Sequence, residues 1–320
     1  MVTAFVDMNS YYEPLALLTA IILGSITGLS TKIHADIADY SIVVMLSCLF
    51  FNVSMGDLLR GANNKLYLIT AWLVNFVALP TMAYIILSIF VDMNSMVFVG
   101  LIFYLVAPCT DWFLGFTKLT EGDVDVNCAL LPINLLSQIL LLPVYLFIFT
   151  GNNANIAVDA FFDVLLSWVL YPFLFAQCLR LISTKLKPVF LEKSLVIADR
   201  GMLIALSLLL FTIFNNHILA LIGNLSILPV TLVVVVSFFI SVYLLGTFIS
   251  KKLGFNRAQT ASLIMTLSAR NTPLMLAISM GLFPDDTVIP LILILGMLIE
   301  FPHLIFLSFL LRPAVIRNQI

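Results

Sequence analysis

Hydrophobic residues in this chain gather into runs of about 20 positions separated by short polar breaks, the length at which an α-helix crosses the hydrocarbon of a bilayer. About ten such spans can be read: Pro14–Ile33, Tyr40–Leu59, Leu66–Phe90, Met96–Leu119, Asn127–Phe149, Phe161–Ile182, Gly201–Ile222, Leu228–Ile249, Ala258–Phe283 and Thr287–Leu311. The longest break, Ser183–Arg200, is a basic linker near the middle. The pattern predicts an all-α membrane protein in which residues 1–320 form a single integral membrane domain.

Spans four and nine are each interrupted by a proline with a charge three residues away. Asp111 lies in Ala107-Pro108-Cys109-Thr110-Asp111-Trp112, and Arg270 in Ser268-Ala269-Arg270-Asn271-Thr272-Pro273. A charge at the centre of a span costs about 2.5–3.5 kcal/mol on insertion scales, so it persists where it has a partner, a cavity or a task. Proline removes an N–H and clashes one turn back, and the backbone it exposes is tolerated at membrane depth only inside protein or against a wet cavity. Splitting the chain after the fifth span makes spans four and nine equivalent, in repeats of about 12–150 and 158–312. An odd number of spans per repeat forces opposite insertion. One proline alone would be read as a simple kink, but two in equivalent spans beside charges point to discontinuous helices meeting near the midplane, as in secondary transporters.

Composition removes the soluble alternative. Hydrophobic residues make up 62% and charged residues 10%, with a mean hydropathy of +1.14, whereas a soluble domain carries about 25% charged residues. The net charge of −2 gives no basic field for nucleic acid, which leaves lipid and small solutes as partners. Thirteen of the fifteen Lys and Arg follow even-numbered spans: Arg60, Lys65, Lys118, Arg180, Lys185, Lys187, Lys193, Arg200, Lys251, Lys252, Arg257, Arg312 and Arg317. The positive-inside rule makes that side cytoplasmic and, with an even count, places both termini there. The opposite loops hold Lys32 with Asp92, Asp159, Asp285 and Asp286. Met1–Tyr12 lacks the layout of a cleaved signal peptide.

Cys48, Cys109, Cys128 and Cys178 show no metal-ligand or disulfide spacing, and no nucleophile triad or phosphate-cradling loop occurs. Neither an enzyme nor a cofactor is expected. Further polar residues fall inside spans: Asn134 and Gln138 share a face of span five at i and i+4, and Glu300 and His303 flank Pro302 in span ten. Glu300 is a candidate proton-exchanging group, whereas His303, Asn52 and Asn75 read as helix-packing residues.

Ala107-Pro108-Cys109-Thr110, followed by Gly122-Asp123, and the break Ser268–Pro273, followed by Leu274-Met275-Leu276-Ala277, resemble the bile acid/sodium symporter and arsenite permease superfamily over essentially the whole chain. The resemblance implies a panel of spans 1, 2, 6 and 7 and a core of spans 3–5 and 8–10. It also implies that spans four and nine cross at the midplane, and that transport proceeds by alternating access at the cell membrane. The Pro-Cys pair is similar to that of arsenite permeases and places Cys109 at their span-four cysteine. A thiol suits a soft arsenic centre, although a small residue there also lets helices cross closely. The glutamate those permeases carry in span nine is replaced here by Arg270 and Asn271.

Against the sodium symporters, Thr266 stands where a glutamate is expected and Arg270 where a glutamine is, while Phe113 and Leu114 replace oxygen ligands. A hard cation needs oxygens, and a guanidinium repels it, so sodium coupling is not expected. If spans four and nine cross, Asp111 and Arg270 face each other, either as a proton-exchanging pair or as a static bridge. The candidate substrate or coupling residues are therefore Cys109, Thr110, Asp111, Asn134, Gln138, Ser268, Arg270, Asn271, Thr272 and Glu300. The function expected is arsenite-efflux-like secondary transport, possible proton coupling included, with a small organic anion clamped by Arg270 as the alternative.

Overall fold

In the computed structural model, the residues described are 6–31, 34, 36–54, 64–110, 113–150, 163–185 and 188–312, and among them no β-strand occurs beyond one isolated bridge. Among the described residues twelve helices longer than one turn follow in order: α1 (Val6–Gly28), α2 (Asp36–Asn52), α3 (Lys65–Phe90), α4 (Met96–Val106), α5 (Phe113–Leu119), α6 (Val124–Thr150), α7 (Leu165–Lys185), α8 (Pro188–Gly223), α9 (Leu228–Leu253), α10 (Arg257–Ser268), α11 (Thr272–Leu282) and α12 (Val288–Leu311). Six of these, α3, α6, α7, α8, α9 and α12, contain described stretches long and apolar enough to cross a membrane. Their outer faces stay greasy: Leu140 is 71% exposed and Phe147 74%, which water would not tolerate over so wide an area but lipid does.

The helix ends follow local rules. Ser95 and Asn256 cap α4 and α10 through their side chains, the latter with Gln259 completing a capping box. Gly254, at φ 70°, ends α9 in the left-handed conformation that only glycine adopts cheaply. Two helices contain a π turn, Val74–Ala78 in α3 and Leu165–Leu170 in α7. The basic segment Ser183–Arg200 differs from the expected linker. α7 continues to Lys185 and α8 already starts at Pro188, because proline is favoured in a first turn and no helix breaker stands between Val189 and Gly201.

The chain divides into two compact units. The first comprises 1–53, 156–226 and 276–287, and within it α8 packs against α1 and α2, and α7 against α2. A Cβ on Gly28 would lie 2.2 Å from the backbone oxygen of Asn215, and one on Gly24 would lie 2.5 Å from that of Phe211. These two glycines, four residues apart, let the backbones of α1 and α8 touch. Asn215 then donates to Thr27 Oγ1 at 2.8 Å. The carbonyls at the end of α2 are served from α7: Gln177 donates to Phe50 O (2.7 Å) and Val53 O (3.1 Å), and Arg180 to Phe51 O.

The second unit comprises 54–155, 227–275 and 288–320. In it α12 packs against α4, α9 and α10, and α6 against α4 and α10. One buried polar network is complete: Tyr67 donates to Asn127 Oδ1 (2.7 Å), and Asn127 donates to Thr117 Oγ1 (2.9 Å) and Ser262 O (3.1 Å).

Candidate functional site

The apolar run Met96–Leu119 is carried by two helices, α4 and α5, and the run Ala258–Phe283 by α10 and α11. The links after α4 and α10 pair antiparallel at Pro108 and Arg270. Cys109 N–H donates to Ala269 O (3.0 Å) and Asn271 N–H to Ala107 O (2.9 Å). Both links sit in extended backbone, with Ala107 at ψ 104° and Ala269 at ψ 139°. Pro108 cannot continue a helix and disfavours helical geometry at Ala107, while Pro273 falls in the first turn of α11, where it is tolerated.

Arg270 is 0% exposed and is the largest fully buried side chain among the described residues. Its Nη1 donates to Leu105 O at 3.0 Å and its Nη2 to Leu267 O. Its Cζ lies 5.3 Å from the Phe238 ring centroid, within cation–π range. Glu300, 1% exposed, approaches this residue from α12, and its Oε1 accepts the Arg270 backbone N–H at 3.0 Å. Tyr104 Oη lies 2.8 Å from Gly296 O and 3.0 Å from Glu300 Oε2. Gly296 makes that approach possible, since a Cβ there would meet the Tyr104 ring at 2.7 Å.

Asn271 caps α11, its Oδ1 accepting from Leu274 N–H (3.4 Å), and its Nδ2 donates to Thr110 Oγ1 (3.0 Å). Cys109, Thr110, Asn271 and Thr272 are at most 3% exposed. Hydrogen bonds and pairing thus gather Cys109, Thr110, Arg270, Asn271 and Glu300, with Ser268 and Thr272 next to them in the chain. Asp111 lies outside the described residues, so its relation to Arg270 is not described.

Several buried side chains here carry polar atoms without a hydrogen-bond partner among the described residues: both amide atoms of Asn75, Asn134 and Gln138, the hydroxyls of Thr266, Ser268 and Thr272, and Arg270 Nε. Native interiors satisfy nearly all such atoms, so each exception is a position at which a water or solute can bond. Asn134 and Gln138 belong to α6, and no hydrogen bond joins them to the paired links. His303 stacks on Phe239 with ring centroids 4.2 Å apart.

Tyr104 and Leu105 escape the sequence reading. Tyr104 is submerged in Met96–Val106, where its hydroxyl is the only side-chain polar oxygen, and that was the available signal. Leu105 contributes a backbone carbonyl, which no side-chain pattern reveals. Asn75 reads from sequence as a hydrogen-bonding packing residue, yet it is fully buried on the π turn of α3 with its amide unpaired.

Helices throughout the described residues, six of them long and apolar enough to cross a membrane, with a charged junction sealed among them, define an integral membrane protein. The profile of the SBF-like CPA transporter family matches residues 14–314, and the chain belongs to that family. It is similar to the arsenical-resistance protein Acr3 of Corynebacterium glutamicum, at 24% identity over 326 residues covering 92% of this chain and 86% of the relative. The matched family is one of transporters and not of enzymes.

Proposed function

We propose that this chain is a secondary carrier of the arsenite-efflux type that works by alternating access and exchanges its solute against protons. The observation that carries the reading is the thiol of Cys109, 1% exposed and held at the paired links between broken apolar runs, in a chain similar along 92% of its length to an arsenical-resistance protein. A soft sulfur ligand suits trivalent arsenic where an all-oxygen site suits hard cations. A carboxylate substrate is less well served, because Arg270 Nη1 and Nη2 already bind backbone carbonyls and the bidentate fork is thereby lost.

In this reading about ten spans form two inverted repeats, and α4–α5 and α10–α11 are spans four and nine, discontinuous and crossing at the midplane. The antiparallel pairing of their links supports that crossing. The panel and core division draws support from the grouping of α1, α2, α7 and α8 in one unit and α3–α6, α9, α10 and α12 in the other, although residues 276–282 of α11, a core helix in this division, group with the first. The distribution of Lys and Arg supports cytoplasmic termini in a cell membrane.

Proton exchange is assigned to Glu300, with Asp111 as the second carboxyl group. Tyr104 Oη has one proton and two acceptors within reach. With Glu300 protonated, the carboxyl donates to Tyr104 and Tyr104 donates to Gly296 O; with Glu300 ionised, Tyr104 turns to the carboxylate. Both protonation states are thus hydrogen-bonded.

The test is arsenite accumulation in cells lacking their own efflux system. The wild type should lower accumulation, Cys109→Ser should abolish the effect, and Glu300→Gln and Asp111→Asn should flatten its pH dependence. A wild type that leaves accumulation unchanged sinks the arsenite assignment.

A further inference from the structure

The ends of α4 and α10 present an electrostatic problem that transport alone does not explain. Each helix stops inside the second unit with its last carbonyls beyond the reach of intrahelical N–H groups. Leu105 O belongs to the last turn of α4 and Leu267 O to the last turn of α10. Two helix C-termini aimed at one buried point together carry about one negative elementary charge. A positive group between them is therefore stabilised, and the chain provides it: the Arg270 guanidinium donates to both carbonyls. Phe238 presents its ring face to the same group, and the side chain is 0% exposed.

We infer that Arg270 is a tethered cation, covalently filling a monovalent-cation position between the C-termini of α4 and α10, and that this carrier consequently works without an exchangeable alkali ion. Three features support a cation position over a generic buried arginine. The guanidinium bonds are to backbone oxygens from two separate helices, the donor set a small cation also takes. The facing carboxylate, Glu300, directs Oε1 to the Arg270 backbone N–H, so the guanidinium's terminal nitrogens are aimed at the carbonyls. Arginine also stays charged at every accessible pH, which makes the position permanently filled. Deleting the side chain should uncover a site for guanidinium or an alkali cation.

The test needs no substrate, so its outcome is separable from that of the transport reading. Thermal unfolding of purified protein is followed in N-methyl-D-glucamine, sodium, potassium and low millimolar guanidinium chloride at matched ionic strength. The wild type should unfold at one temperature in all four salts. Arg270→Gly should unfold several degrees lower in N-methyl-D-glucamine and recover most of the loss in guanidinium or an alkali salt. Arg270→Lys, which keeps a charge on the same tether, should remain indifferent to alkali cations and covers the case in which the glycine variant fails to fold. A wild type or lysine variant stabilised specifically by sodium or potassium overturns the inference, as does a folded glycine variant that unfolds identically in every salt.

Discussion

Glu300 Oε1 accepts the backbone N–H of Arg270 at 3.0 Å, and both side chains are buried. Disturbing a buried hydrogen-bonded group costs about 1–3 kcal/mol. Glu300→Gln, which keeps an acceptor but not the charge, is therefore expected to lower the unfolding temperature modestly, and the double variant Glu300→Gln/Arg270→Gln to be less destabilised than the sum of the single changes. A double-mutant cycle in detergent measures that coupling. Tyr104→Phe removes one hydroxyl shared between Gly296 O and Glu300 Oε2, and the expected loss is about 1–3 kcal/mol. At this scale the sequence exposes what is chemically incongruous, such as a charge in an apolar run, but not what resolves the incongruity. Leu105 and Leu267 act through carbonyls that every residue possesses, and Tyr104 reads as one more apolar position. By contrast Asn127, whose amide is fully bonded, and Asn134, whose amide is not, look identical in sequence.

Elements were legible where proline or a cap interrupts them. Pro108 and Pro273 announce breaks in the fourth and ninth apolar runs, and the helices α4, α5, α10 and α11 stop and start around them. The π turns have no such signal, because one surplus residue in a helix changes neither hydrophobicity nor length noticeably. The contact of α1 with α8 had a signal that went unused, Gly24 and Gly28 at the small-xxx-small spacing. Gly28→Leu is expected to push these helices apart, since its Cβ would meet a backbone oxygen at 2.2 Å and backbone cannot step aside as a flexible side chain can. The destabilisation should reach about 1–3 kcal/mol or more, and cysteines placed on α1 and α8 should cross-link more slowly in that variant.

At the scale of the whole molecule, composition alone settled that the chain lives in a membrane, and the described helices have the length and outward greasiness to match. Which helices group together was not readable from hydropathy, which is blind to the side a span turns inward. Charged residues near the helix ends show the same limit. Arg257 donates to Thr120 O (3.0 Å), Glu121 O (3.2 Å) and Leu311 O (2.8 Å), and Arg312 donates to Leu119 O (3.1 Å). The exposed ion pair of Arg257 with Glu121 at 3.4 Å adds little, as such surface pairs contribute about 0–1 kcal/mol. Glu121→Gln should thus be nearly silent, while Arg257→Ala should open the α5, α10 and α12 ends to limited proteolysis. These two arginines are also among the cations that the positive-inside rule counts. A residue weighed by the insertion machinery while the chain is still being threaded is later reused as a pin between finished helices. An engineer who reverses the charge at Arg257 to redirect membrane insertion will unfasten three helix ends with the same substitution, so orientation and assembly cannot be edited independently at this position.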